Sequence, residues 1–273
     1  MKYTIRFACL SHKGKCRKAN QDNYICNGRY IEENCGDTAV PISGKIKSSE
    51  KAVFGVFDGM GGTTHGEKAA LIAAQNASRL NLGDDVLSDL NKFCTETNTQ
   101  ICNFADSNHY LSTGTTAAML AFAQNNIFLC NIGDSKIFRV ADNSIEQISK
   151  DHTVKQYKGN KAPLSQNLGI PDDYFKIKPY FARGQYGDGD CYLICSDGLT
   201  DMLSIEEILE GISGNAPETA ANLLLNKALE AGGKDNITIV ICKIERRTAF
   251  KNILEGKGYG KKLMDKMAGV GIC

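Results

Sequence analysis

Between Thr115 and Ile148 the sequence runs through four strand-like apolar segments with almost nothing between them. They read as Thr115–Ala123, Asn126–Ile132, Lys136–Ala141 and Ser144–Ile148, turned at Asn125-Asn126 and again over Ala141 to Ser144. Links of two residues admit only antiparallel pairing, because a parallel pair needs a crossover of a dozen residues or more. Helical periodicity appears on both sides of this block, each time as a pair. Before it, Ala69, Ala70, Ile72, Ala73, Ala77 and Leu80 share one face of a helix. A second helix spans Asp84 to about Ala105, with Val86, Leu87, Leu90, Phe93, Ile101 and Phe104 as its apolar stripe. After the block, Ser204-Ile205-Glu206-Glu207 starts a helix with a capping-box pattern. Pro217 opens another, which stops at Gly232-Gly233. This is not strand–helix–strand alternation. The order predicts an α+β fold, a four-layer α-β-β-α sandwich of two antiparallel sheets flanked by helix pairs.

The remaining strands are Lys2–Cys9, with clean alternation, Asn23–Ile31, Val53–Asp58, Lys176–Ala182, Cys191–Ser196 and Asn236–Ile244. Glu33 to Glu50, with Gly36, Pro41 and Gly44, reads as a surface excursion. A hydrophobic content of 42% over 273 residues is enough for a sizeable core. Charge divides the chain into residues 1–245, one domain, and residues 246–273, a basic tail. The tail carries seven Lys/Arg against Glu255 and Asp265, a net of +5, which leaves the domain at −4 within a total of +1. That balance argues against nucleic-acid binding. The tail reads first as a frayed terminus, with Phe250, Ile253 and Leu254 at helical spacing. Docking to an acidic partner or an anionic membrane surface is the sharper alternative.

Eleven cysteines form no CxxC pair and mostly sit in apolar runs, so reduced core thiols and a cytoplasmic location are expected. Cys191 and Cys195 fall on one face of a strand and read as core rather than a metal pair.

Several of these strands end in a carboxylate. Val53 to Phe57 stops at Asp58, followed by Gly59, Gly61 and Gly62. Tyr192 to Ser196 stops at Asp197-Gly198, Ile127 to Ile132 at Gly133-Asp134, and Asp235 stands immediately before the last strand. A single Asp-Gly is an ordinary turn. Four strand-end carboxylates predict one oxygen-rich pocket. With no His or Cys at ligand spacing, hard oxygen donors select Mg²⁺ or Mn²⁺ over Zn²⁺. Two such ions suit chemistry at a phosphoryl group.

In order, the chain reads Gly14-x-x-Arg17-Lys18-x-Asn20-Gln21-Asp22-Asn23, Asp58-Gly59-Met60-Gly61-Gly62, Thr113-Gly114-Thr115-Thr116-Ala117, Gly133-Asp134-Ser135, Ser196-Asp197-Gly198-Leu199-Thr200-Asp201 and Lys234-Asp235-Asn236-Ile237-Thr238. Together these resemble the signature of the metal-dependent Ser/Thr protein phosphatases, the protein phosphatase 2C (PPM) family, in its bacterial form, from about Tyr3 to Ile244. The resemblance implies the same sandwich fold. It also implies hydrolysis of phosphoserine and phosphothreonine in proteins by a water activated between two metal ions. Asp22, Asp58, the Gly59 carbonyl, Asp197 and Asp235 would hold the two core Mn²⁺ or Mg²⁺ ions, with Asp58, Asp197 and Asp235 central to catalysis. Asp134 with Asp197 would hold a third ion, and Arg17 would bind the substrate phosphate. Phosphorylated proteins made by an opposing Ser/Thr kinase are the implied partners.

Three features depart from the pattern. Met60 stands where many eukaryotic members have a proton-donating His, and His65 nearby reads first as a solvated polar group. The link from Lys150–Thr153 to Leu168-Gly169 leaves only Val154 to Gln166 for a flap that is usually longer. The third is the basic tail. A pseudophosphatase, using the fold as a regulatory binding module, is the alternative that the trimmed flap suggests.

Overall fold

The computed structural model describes residues 3–33, 38–60, 65–155, 157 and 162–247. Its elements run β1 (Tyr3–His12), β2 (Asp22–Cys26), β3 (Thr38–Lys47), β4 (Ala52–Asp58), α1 (Gly66–Ser78), α2 (Val86–Ser107), β5 (Ala117–Ala123) and β6 (Asn126–Ile132). They continue with β7 (Lys136–Ala141), β8 (Ser144–Gln147), β9 (Tyr180–Gln185), β10 (Cys191–Cys195), α3 (Asp197–Thr200), α4 (Ile205–Ile212), α5 (Pro217–Glu230) and β11 (Ile237–Arg246). One sheet has the order β3-β1-β11-β10-β7-β8 and the other β2-β4-β5-β6-β9. All strand pairs in both are antiparallel.

Three apolar layers follow from the period of two along each strand. In β4, Ala52, Phe54 and Val56 face the other sheet, whereas Val53 and Phe57 face the helices. Phe54 meets Phe7 at 5.1 Å and Phe122 at 5.8 Å between ring centroids, tying the sheets together. On one outer face α1 presents Ala69, Ala70, Ala73, Ala74 and Ala77, all buried, and these small side chains let it sit close to the sheet. On the other, Ile208, Leu224 and Leu225 of α4 and α5 cover Leu10, Leu193 and Ile239. Cys191 and Cys195 are core residues of β10 in this layer. No helix among the described residues is long and apolar enough to cross a membrane.

Four expectations need correction. The expected surface excursion over Glu33 to Glu50 contains β3, a strand at the sheet's edge. An edge tolerates Pro41, whose missing N–H costs no central ladder bond. Gly44 makes room for the Phe7 ring, since a Cβ there would lie 2.6 Å from the ring's Cζ. The second strand stops at Cys26, where Asn27 (φ 49°) and Gly28 (φ 87°) turn the chain. The β5–β6 turn is Gln124-Asn125, both in the left-handed region, one residue earlier than read. The strand expected at Lys176–Ala182 is shifted to Tyr180–Gln185. The helical segment of the basic tail, like Gly61 and Gly62, lies outside the described residues.

The capping box is present in full. Ser204 Oγ accepts from Glu207 N, and Glu207 Oε2 accepts from Ser204 N at 2.8 Å. Ser204→Ala is expected to lower unfolding free energy by about 1 kcal/mol, read from the urea midpoint at unchanged slope. An unshifted midpoint would show that α4 is held by its apolar face alone.

Candidate functional site

The strand ends converge as the topology requires. Asp22 and Asp58 are register partners on β2 and β4 of one sheet. Asp197 follows β10 and Asp235 precedes β11, neighbouring strands of the other. Asp134 sits in the β6–β7 turn, made possible by Gly133 at φ 103°. Asp58, Asp134, Asp197 and Asp235 line one cavity of about 540 Å³ with Arg17, Gly59 and Met60, while Pro163 and Leu164 supply an apolar wall.

Two of the carboxylates, Asp58 and Asp22, have a well-defined scaffold. The Asp58 backbone is pinned by Thr115 and Thr116: its carbonyl accepts from Thr115 Oγ1 and Thr116 N, and its N–H donates to Thr116 Oγ1. Asp22 is buried, and its Oδ2 accepts from Thr238 Oγ1 at 2.7 Å and Ser196 Oγ at 2.8 Å, both from the opposite sheet. Its Oδ1 is buried without a hydrogen-bond partner. Asn236 ties the loop after β1 to the end of the cavity: Oδ1 accepts from Gln21 N, while Nδ2 donates to the carbonyls of Lys13 and Ala19. Sequence reasoning gave Ser196, Thr238, Asn236 and Thr116 no role. The available signal was small polar side chains at the ends of fully apolar strands, where a buried hydroxyl must find a partner.

Electrostatically the cavity is crowded. Burial, then the charges of Asp22, Asp197, Asp134 and Asp235, hold the Asp58 carboxyl well above the usual carboxylate range. Burial likewise pushes Asp22 up to about 7, against the lowering effect of its two hydroxyl bonds. Among the described residues, the one cation lining the cavity is Arg17, whose Nη2 donates to Asp235 Oδ2 at 2.6 Å; that bond above all raises the guanidinium's pKa. The pair is partly exposed, at 43% and 23% of the side chains, so it is weak and exchangeable. His65 does not line the cavity. It stacks on Tyr110 at 4.2 Å, with Nδ1 3.4 Å from Glu67.

Among the described residues, no three His, Cys, Asp or Glu side chains close into a ready-made ligand cage. A tetrahedral Zn²⁺ site is therefore a poor fit. A hard divalent cation is a good one, since Mg²⁺ takes one or two carboxylates and keeps water for the rest of its shell. The partnerless Asp22 Oδ1 and the mutual repulsion around Asp58 are what such a cation would relieve.

Residues 31–161 match the family model described as Protein phosphatase 2C. The chain is 27% identical over 254 residues to the serine/threonine protein phosphatase PstP of Mycobacterium tuberculosis, covering 88% of this chain but only 45% of that protein. It is 27% identical over 218 residues to the serine/threonine phosphatase stp of Listeria welshimeri, covering 72% and 85%. Among solved structures it is similar to the PstP catalytic domain, crystallised in complex with two manganese ions, at a TM-score of 0.72 and 27% identity. That likeness covers 89% of this chain and all of the other.

Proposed function

We propose that this chain, which belongs to the protein phosphatase 2C family, hydrolyses phosphoserine and phosphothreonine esters in proteins with the help of Mn²⁺ or Mg²⁺. The observation that carries the reading is the gathering of five carboxylates from both sheets about one cavity, with an arginine at its mouth. Asp58, Asp197, Asp235, Asp22 through Oδ1 and the Gly59 carbonyl would hold two divalent cations, and Asp134 with Asp197 a third. Bound there, the cations supply charge neutralisation for the phosphoryl group and a nucleophilic water at neutral pH.

The chain's own residues do the rest. Arg17 exchanges its bond to Asp235 for the phosphate oxygens, which suit its planar fork, and so orients the ester. Thr115, Thr116 and Asn236 keep the carboxylates in place without reorganisation as charge develops. The Met60 thioether has no proton to give, so the leaving oxygen must take its proton from another group or from water. Proteins phosphorylated by a Ser/Thr kinase would be the substrates.

The test is phosphate release from phosphothreonine and phosphoserine peptides, with Mn²⁺ and after chelation. Release that requires the cation is expected. Arg17→Ala should raise KM for the phosphopeptide roughly tenfold with a smaller loss in kcat, the cost of one charge-assisted contact. No cation-dependent release from any phosphopeptide would overturn the reading and leave a binding module.

A further inference from the structure

From Met1 to Gln21 the sequence contains no acidic residue, and Lys13, Lys15, Arg17 and Lys18 fall within six positions of each other. The fold fixes this segment to the lip of the acidic cavity. Lys15 N donates to Gly233 O at 2.7 Å, and Asn236 Nδ2 holds the carbonyls of Lys13 and Ala19. Gly14, at φ 79°, lies so close that a Cβ there would stand 2.2 Å from the Asp235 carbonyl oxygen. Lys234, one residue before Asp235, comes from the same junction. Lys13, Lys15, Lys18 and Lys234 are all exposed. Arg17 alone among these cations lines the cavity and bonds Asp235.

We propose that the exposed lysines Lys15, Lys18 and Lys234, beside Lys13, form a collar that docks acidic residues flanking the phosphorylated serine or threonine, so that the site selects phosphoproteins modified within acidic segments. The proposal rests on the phosphatase reading and names the substrate class of that site. Its reason is electrostatic. Clustered cations on the rim raise the local concentration of anionic segments where the substrate enters, whatever the charge state of the cavity behind them. Lysines suit this work: a hydrated point charge on a flexible stem captures carboxylates without a fixed geometry, whereas a bidentate fork demands one. The loop's backbone, by contrast, is fastened at four points, so the charges return to one place. An acidic flank also relieves the mutual repulsion of cations crowded on one loop.

Two phosphothreonine peptides decide the matter, one with Glu and Asp at the flanking positions and one with Gln and Asn. Three exposed ion pairs of ordinary surface strength multiply to roughly tenfold. At low salt the wild-type protein should therefore show roughly a tenfold lower KM for the acidic peptide, shrinking as ionic strength rises. The combined variant Lys15→Ala, Lys18→Ala, Lys234→Ala should lose that preference while hydrolysing p-nitrophenyl phosphate as the wild type does. The Lys→Arg version at the same positions should keep the preference. Fluorescence anisotropy of the labelled acidic peptide, read in parallel, does not depend on turnover. If neither peptide is hydrolysed but the acidic one still binds more tightly in a lysine-dependent way, the collar stands and the phosphatase reading falls. Equal affinity for the two peptides, or a preference that survives in the alanine variant, overturns the collar.

Discussion

Asp58→Asn should lower cation-dependent phosphate release by at least 10²–10³-fold, on the order of the cost of removing one preorganised charge from an active site. The same substitution should raise the melting temperature of the chelated protein. Asp58 is surrounded by four other carboxylates and its carboxyl is held well above its ordinary range. A carboxyl raised in the folded state costs stability once the unfolded chain ionises. The cost is absent below a pH of about 4, grows as pH rises toward the folded-state value, and is fully present above it. Asparagine removes it, so the thermal advantage of the variant should widen upward from about pH 4. Asp22, pushed up to about 7, adds a second cost that grows between about pH 4 and about 7 and persists in the variant. Mn²⁺ should stabilise the wild type by mass action and the variant much less. Near-native turnover at saturating Mn²⁺, or no gain in melting temperature anywhere between pH 5 and 8, would show that Asp58 is not the centre of the site.

A second large effect is expected from a single methyl group. Gly198 follows Asp197 at the start of α3, and a Cβ there would lie 2.0 Å from the Asn236 carbonyl oxygen and 3.3 Å from Asp235 Cβ. The obstacle is backbone, so it cannot rotate away. Gly198→Ala must drive the two segments that carry Asp197 and Asp235 apart. Overpacking of this kind costs about 1–3 kcal/mol, and here it also breaks the site. The urea midpoint should fall and the thermal shift on adding Mn²⁺ should disappear. Gly189→Ala is the control. Its φ of 89° gives a strain of about 1 kcal/mol, yet nothing lies within 4 Å of the new methyl. That variant should lose stability and keep its response to Mn²⁺. A Gly198→Ala protein that binds Mn²⁺ as the wild type does would sever the link between this junction and the cation.

The sandwich was legible because its information is local. Two-residue turns between apolar runs force antiparallel order, and β6 and β7 begin and end where the pattern places them. β3 was illegible for the opposite reason. Its stability comes from seven residues of β1 paired with it, and Pro41 and Gly44 are breakers everywhere except at such an edge. The carboxylates could be found because a charge at the end of a buried strand has few structural uses. Their anchors could not. Thr238, Ser196 and Asn236 are unremarkable residues in sequence, and their value lies in partners 216, 174 and 215 positions away. Arg17 illustrates the limit from the other side: its motif marks it for a phosphate, whereas its resting partner, Asp235, is set by three-dimensional proximity.

The hydrogen bonds from Ser196 and Thr238 to Asp22 cross from one sheet to the other at the floor of the cavity. Sandwich layers held only by greasy side chains can slip past one another by a fraction of a residue at little cost, because apolar contact is non-directional. A buried carboxylate gripped by two hydroxyls is directional, and it forbids that slip at the one end where alignment matters. The two halves of the molecule therefore behave as jaws with a fixed closing position rather than as plates free to shear. Distances across the cavity are consequently set by β2 and β11, deep in the molecule, so changes in the exposed loops above can retune what enters without altering the spacing below.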